Sequence, residues 1–165
     1  MKQLYIKQKV FSLSGKFTIK DQEENDVYYV EGSFMRIPKT FSIMNAAREE
    51  VALITKKTFS FLPKFFVEIH GQEVLTIRKE FTFFKASYKI DAAGIDVRGN
   101  WWDMNFEVLQ RGEVVGSVSK EWFSWGDSYK VQVMDEEMEN VVIAITVAID
   151  CVKADQAVAS SAAET

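Results

Sequence analysis

Cysteine, histidine and proline are almost absent: the 165 residues include one cysteine, Cys151, one histidine, His70, and two prolines. A lone cysteine excludes an intrachain disulfide, and Cys151 follows an apolar run, where it reads as an inert core thiol rather than a nucleophile. Zinc sites use three or four clustered ligands, so no metal is expected, and no other cofactor. His70 is the only imidazole that could serve as a base, and no Gly-x-Ser-x-Gly elbow, glycine-rich phosphate loop or nucleotide fingerprint occurs; hydrolase and nucleotide chemistry lose their usual parts. Carboxylates alone could do acid and base work, but nothing pairs them specifically, and the expectation is a protein that is not an enzyme. Basic charge is also not in excess, 20 residues against 24 acidic, net -4, so no nucleic-acid partner is expected. The longest apolar run, Val141 to Ile149 with Thr146 inside it, falls well short of the roughly 20 residues of a bilayer span. Met1 to Val10 alternates polar and apolar residues and carries three lysines, unlike a signal peptide. A cytoplasmic protein that does not span a membrane follows, with peripheral attachment to one left open.

What is abundant is aromatic. Thirteen Phe, five Tyr and four Trp indicate β-structure with a bulky interior, and they recur in a pattern. Phe11-Ser12 leads to Phe17 and Ile19, Phe34 to Phe41 and Ile43, Phe59-Ser60 to Phe65 and Val67, Phe81-Thr82 to Tyr88 and Ile90, and Phe123-Ser124 to Tyr129 and Val131. The starts are 23, 25, 22 and 42 residues apart, and a degenerate copy from Trp101 or Trp102 to Phe106 and Val108 fills the long interval. Such a period is one supersecondary unit, strand, corner, strand, laid down six times. Period-two alternation marks twelve short strands, at 4–11, 16–20, 27–34, 40–44, 51–56, 65–70, 74–79, 84–90, 95–98, 104–109, 114–120 and 128–133. Turn residues separate them, as at His70-Gly71-Gln72 and Asp91 to Gly94.

One segment breaks the pattern. Asp135 to Val152 could by propensity be a thirteenth strand, but its length, the capping Asp135 and the carboxylates Glu136, Glu137 and Glu139 favour a helix. A helix apolar on every side must be surrounded, and twelve strands closed into a barrel leave a lumen for it. The fold expected is therefore mainly β: a closed twelve-stranded antiparallel barrel enclosing a C-terminal hydrophobic α-helix. Residues 1–152 form the single domain, and 153–165, without periodicity, a disordered tail.

Four stretches carry a family resemblance: Tyr5-Ile6-Lys7-Gln8-Lys9-Val10-Phe11-Ser12, Val27-Tyr28-Tyr29-Val30-Glu31-Gly32, Ser119-Lys120-Glu121-Trp122-Phe123-Ser124-Trp125-Gly126-Asp127 and Ala148-Ile149-Asp150-Cys151-Val152. In these the chain resembles the LURP-one-related family of the tubby C-terminal-like superfamily, in its small bacterial YxjI-like form. It departs from the family at Trp101, Trp102 and Asp103. The resemblance implies a twelve-stranded barrel threaded by the last helix. Tubby domains of eukaryotes bind phosphoinositide headgroups and related scramblases act on phospholipids, but their basic ligand residues do not map one by one onto this chain, and fold alone does not give function.

An up-and-down strand order would divide the barrel into two unlike ends. The repeat corners gather Leu13, Lys16, Met35, Arg36, Ile37, Lys39, Phe61, Leu62, Lys64, Phe83, Phe84, Lys85, Trp101, Trp102 and Trp125 at one end; the intervening turns gather Asp21, Glu23, Glu24, Asp26, Glu49, Glu50, Glu73, Asp91, Glu113 and Asp135 to Glu137 at the other. Aromatics mixed with lysine suit the headgroup level of a membrane. The candidate binding residues are accordingly Lys39, Lys64, Lys85, Trp101, Trp102 and Trp125, with anionic membrane lipid as the partner. The alternatives are a scaffolding module that meets a protein through the same residues, or corner aromatics that turn inward and plug the barrel mouth. Asp150, a carboxylate on an apolar helix, must lie where the helix emerges or pair with a Lys or Arg on the barrel wall.

Overall fold

Alternation becomes burial, strand by strand. On the strand Lys16–Lys20 the side chains of Phe17 and Ile19 are buried while Lys16, Thr18 and Lys20 are not, and Phe41 and Ile43, Phe65 and Val67, and Tyr129 and Val131 repeat the pattern. The computed structural model describes residues 1–7, 15–33, 38–57, 64–81, 86–123 and 126–163. It contains β1 (Lys2–Lys7), β2 (Lys16–Lys20), β3 (Asp26–Gly32), β4 (Lys39–Asn45), β5 (Glu50–Lys57), β6 (Lys64–Ile69), β7 (Gln72–Phe81), β8 (Ala86–Ala92), β9 (Ile95–Asn100), β10 (Asn105–Gln110), β11 (Glu113–Phe123), β12 (Gly126–Val133) and α1 (Glu139–Ala163).

All twelve strands join one sheet in the order β8-β7-β6-β5-β4-β3-β2-β1-β12-β11-β10-β9, with every pair antiparallel. The pairing of β1 with β12, from Lys2 with Val133 to Lys7 with Ser128, brings the ends of the strand series together into a nearly closed barrel. Closure is incomplete at one seam. Among the described residues no ladder joins β8 to β9, although only Ala93 and Gly94, the latter at φ +71°, lie between them. The physical reason lies in β9, which buries none of its side chains and pairs in full with β10 alone. Each of the hairpins β2/β3, β4/β5, β6/β7 and β10/β11 has a residue of positive φ in its turn, Glu24, Arg48, His70 and Arg111, and a register shift beside it. Such bulges bend and twist those strand pairs; the β8/β9 turn has its positive φ at Gly94 but no ladder behind it. Instead β9 is drawn onto β10: at Gly99, φ +114°, a Cβ would stand 2.8 Å from the carbonyl oxygen of Asn105.

The sequence runs from β12 into a 3-10 turn, Glu136–Met138, where the Asp135 carboxylate accepts the N–H of Glu137 at 3.0 Å. The helix then begins. Val142 through Ile149 have no exposed surface, and Asp150, Cys151 and Val152 almost none. Thr146 meets its own hydroxyl's need by donating to the Val142 carbonyl at 2.8 Å. The helix packs on β5, β6, β11 and β12, and the missing side chain of Gly116 on β11 gives room to Val142, whose methyls would lie 2.6 and 2.7 Å from a Cβ. Its start is held by Lys2 of β1 and Tyr28 of β3, which donate to Glu139 at 2.8 and 2.6 Å. The helix continues past Val152, the expected end of the ordered domain, to Ala163. Lys56 of β5 pairs there with Asp155, and Lys79 of β7 donates to Gln156 at 3.0 Å.

Candidate functional site at the corner end of the barrel

In an antiparallel meander every connection from an odd strand to the next even one lies at the same end. Lys39 and Lys64 open β4 and β6, and Trp101 and Trp102 stand in the 3-10 turn Trp101–Asp103 between β9 and β10, so these four candidates share the corner end. Lys85 and Trp125 lie outside the described residues, as do most of the other corner aromatics. The acidic positions Asp21 to Asp26, Glu49, Glu50, Glu73, Glu113 and Asp135 to Glu137 fall at the opposite end, whereas Asp91, opposite Thr76, reaches Arg78 instead.

The corner end also holds cations that pattern reading passed over. Lys56 and Lys57 close β5, and Arg78 and Lys79 come near the end of β7. Register sets them against one another: Lys39 lies opposite Lys56, Lys57 opposite Lys64, and Lys64 opposite Arg78. The paired dipeptides Lys56-Lys57 and Arg78-Lys79 were the available signal. Alternation divides them by face. Lys57, Lys64 and Arg78 follow the outward positions, with the Lys57 ammonium 4.7 Å from the centre of the Phe66 ring and Arg78 Nε 3.2 Å from an Asp91 carboxylate oxygen. Lys39 and Lys56 follow the inward positions of Phe41 and Ile54; the Lys39 ammonium lies 5.2 Å from the Phe41 ring centre.

The tryptophans divide in the same way. Trp101 packs against the core, whereas Trp102 is 36% exposed, and the rings meet edge to face at 5.6 Å between centres. Asn100 fixes their turn by accepting the Asp103 N–H at 3.2 Å and donating to the Asp103 carboxylate, and Met104, buried at φ +56°, ends it. Of the two arrangements foreseen for corner aromatics, one tryptophan takes each.

Where α1 reaches this end, charge is buried. Asp150 is 7% exposed, and burial pushes its carboxyl up to about 7 against the opposing pull of Lys153 and the Tyr129 hydroxyl. Its cationic partner is thus Lys153, one turn along α1, rather than a residue of the wall. The Lys153 ammonium, 5.9 Å from the Tyr129 ring centre, is itself held below the usual lysine range by burial, with Asp150 acting upward and Lys120 downward. Burial raises the Cys151 thiol, and Asp150 raises it further. His70 sits in the β6/β7 turn at the far end, so the only imidazole and the only thiol do not meet. Among the described residues no three His, Cys, Asp or Glu are grouped to hold a metal.

Residues 2–150 match the LURP-one-related family. The chain belongs to that family. A curated LURP-one-related relative of similar size is the uncharacterized protein YxjI of Bacillus subtilis (strain 168), 33% identical over 152 residues that make up 92% of this chain and 94% of that protein. The resemblance carried by the two ends of the sequence is thereby shown. Among solved structures, a protein from Arabidopsis thaliana aligns over 91% of this chain and 90% of its own, with a TM-score of 0.55; at 12% identity it shows the fold alone. No helix among the described residues is long and apolar enough to cross a membrane.

Proposed function

We propose that this LURP-one-related barrel is a non-enzymatic binding protein whose corner end docks on an anionic membrane surface, with α1 threaded through the barrel as its fixed core. The observation that carries the docking is the opposition of like charges in register, Lys57 with Lys64 and Lys64 with Arg78. Like charges directly across a strand pair destabilise a sheet, and an anionic surface converts that cost into attraction. Lys39 lies one strand further along the same rim, and the half-exposed Trp102 supplies the amphipathic ring suited to headgroup level. Each basic residue near such a surface contributes about 1 kcal/mol, so four give binding that is weak alone and steeply sensitive to salt. The acidic far end orients the molecule. The cytoplasmic leaflet is the membrane surface with this chemistry, which makes the role peripheral. The separation of His70 from Cys151 favours binding over catalysis.

Co-sedimentation with phosphatidylserine and phosphatidylcholine vesicles, at low and at physiological salt, tests the docking. The expected result is binding to the anionic vesicles alone, lost on double substitution Lys57→Glu and Lys64→Glu and weakened when Trp101 and Trp102 are both replaced by alanine. Equal binding by the charge-reversed variant removes the electrostatic reading and leaves a protein partner for the same end. The threading of α1 is supported by its burial on every side from Val142 to Val152 and by its links to β1 and β3 at one end and β5 and β7 at the other. Amides from Val141 to Ile149 should then exchange only on global unfolding; exchange within minutes in native protein would show a helix lying outside.

A further inference from the structure

Four strands carry a lysine in inward register just beyond the last buried apolar residue at the corner end: Lys39 beside Phe41, Lys56 beyond Ile54, Lys79 beyond Ile77 and Lys120 beyond Val118. They ring the place where α1 leaves its buried stretch. Two of them are engaged by α1 itself, Lys56 by the Asp155 carboxylate and Lys79 by the Gln156 side-chain oxygen at 3.0 Å. The pair Lys56 and Asp155 is 20% and 26% exposed, too sheltered to be a solvated surface ion pair and too open to be core. Nothing in core packing needs the helix to continue this far, since its continuous burial ends at Val152.

We infer that the part of α1 beyond Val152 is an autoinhibitory strap, in which Asp155 stands where an external anion would otherwise meet Lys56 and Gln156 holds Lys79 beside it. The inference rests on the anionic-surface reading and assigns its regulation. With the strap displaced, the long aliphatic stems of Lys56 and Lys79 let their ammonium groups reach out from the mouth and join the outward row Lys57, Lys64 and Arg78. An anionic surface and Asp155 thus compete for the same lysine, and the strap sets how much negative charge the surface needs before the barrel docks.

The test compares three variants of the full chain on phosphatidylserine vesicles at low salt. Asp155→Asn removes the carboxylate from Lys56. Glu121→Gln removes one negative charge from the same end, where its carboxylate faces Lys130 at 3.6 Å rather than a mouth lysine, and so controls for net charge. Gln156→Ala takes the acceptor from Lys79 at constant charge. The expected result is that Asp155→Asn binds about five-fold more tightly than Glu121→Gln, the gain of one further lysine near the surface, that Gln156→Ala binds more tightly than the wild type, and that amides of residues 153–163 exchange faster in Asp155→Asn. Wild-type binding with Asp155→Asn no tighter than Glu121→Gln, and unchanged exchange over 153–163, overturns the strap and leaves the docking end standing. Failure of every variant to bind overturns both.

Discussion

Replacing Asp150 with asparagine is expected to leave stability nearly unchanged below about pH 4 and to raise it by roughly 3 to 4 kcal/mol above about pH 7. The sign follows from the direction of the shift. Burial lifts the carboxyl from an ordinary 3.8 to about 7 in the folded protein, so the folded state keeps its proton while the unfolded chain releases it. The stability this proton contributes is fully present below 3.8 and is lost as pH rises through about 7. Asparagine cannot ionise and is spared the loss. Urea unfolding of both proteins at pH 4, 6 and 8 should give curves that part between pH 4 and 7 and run parallel beyond. Curves parallel throughout would mean that Asp150 ionises as freely when folded as when unfolded, and hence that Tyr129 and Lys153 solvate its charge fully.

Gly116→Ala probes the contact between barrel and helix. The added methyl would stand 2.6 Å from one Val142 methyl and 2.7 Å from the other, and Val142 is β-branched, stiff and without exposed surface. Overpacking of this kind costs about 1 to 3 kcal/mol. Val142→Ala alone also destabilises, through lost burial, but it vacates the space the new methyl needs. The double variant should therefore be more stable than the sum of the two losses, with a coupling of about 0.5 to 3 kcal/mol, measurable as a cycle of urea unfolding curves. Strict additivity would place Gly116 and Val142 out of contact.

The strands were legible because each needs only its own alternation. Phe17 and Ile19, or Tyr129 and Val131, declare their face within five residues, and all twelve strands lie where this pattern puts them, with described ends that move by no more than three residues; the expected strand positions 8–11, 34 and 84–85 lie outside the described residues. The helix was legible from Val141 to Ile149, because a run apolar on all sides admits few other fates. Its extension to Ala163 was not: the alanines there favour helix, but the partners that hold Asp155 and Gln156 lie 99 and 77 residues earlier in the chain. The open seam was also hidden, since β8, Ala93-Gly94 and β9 read as an ordinary hairpin. Half of the site shares this difficulty. Lys39, Lys64, Trp101 and Trp102 follow from strand direction alone, whereas the opposition of Lys64 to Arg78 and of Lys39 to Lys56 depends on register, which the bulges at Val67/Glu68 and Ile43/Met44 shift by amounts no local pattern reveals.

The order of elements has a consequence for how the protein is made. Every ladder but one joins strands adjacent in the chain, so β2 to β8 can zip up hairpin by hairpin with little loss of loop entropy. The exception, β1 with β12, waits until residue 133 is available, and the helix that covers β5, β6, β11 and β12 is synthesised after that. Until residues 139–152 leave the ribosome, a growing sheet presents Ile54 on β5 and Val67 on β6 without the helix that packs on those strands. Nascent chains therefore carry an uncovered apolar sheet while the strands before α1 are being made, and chains that stop short of Glu139 should be clients of chaperones rather than folded barrels.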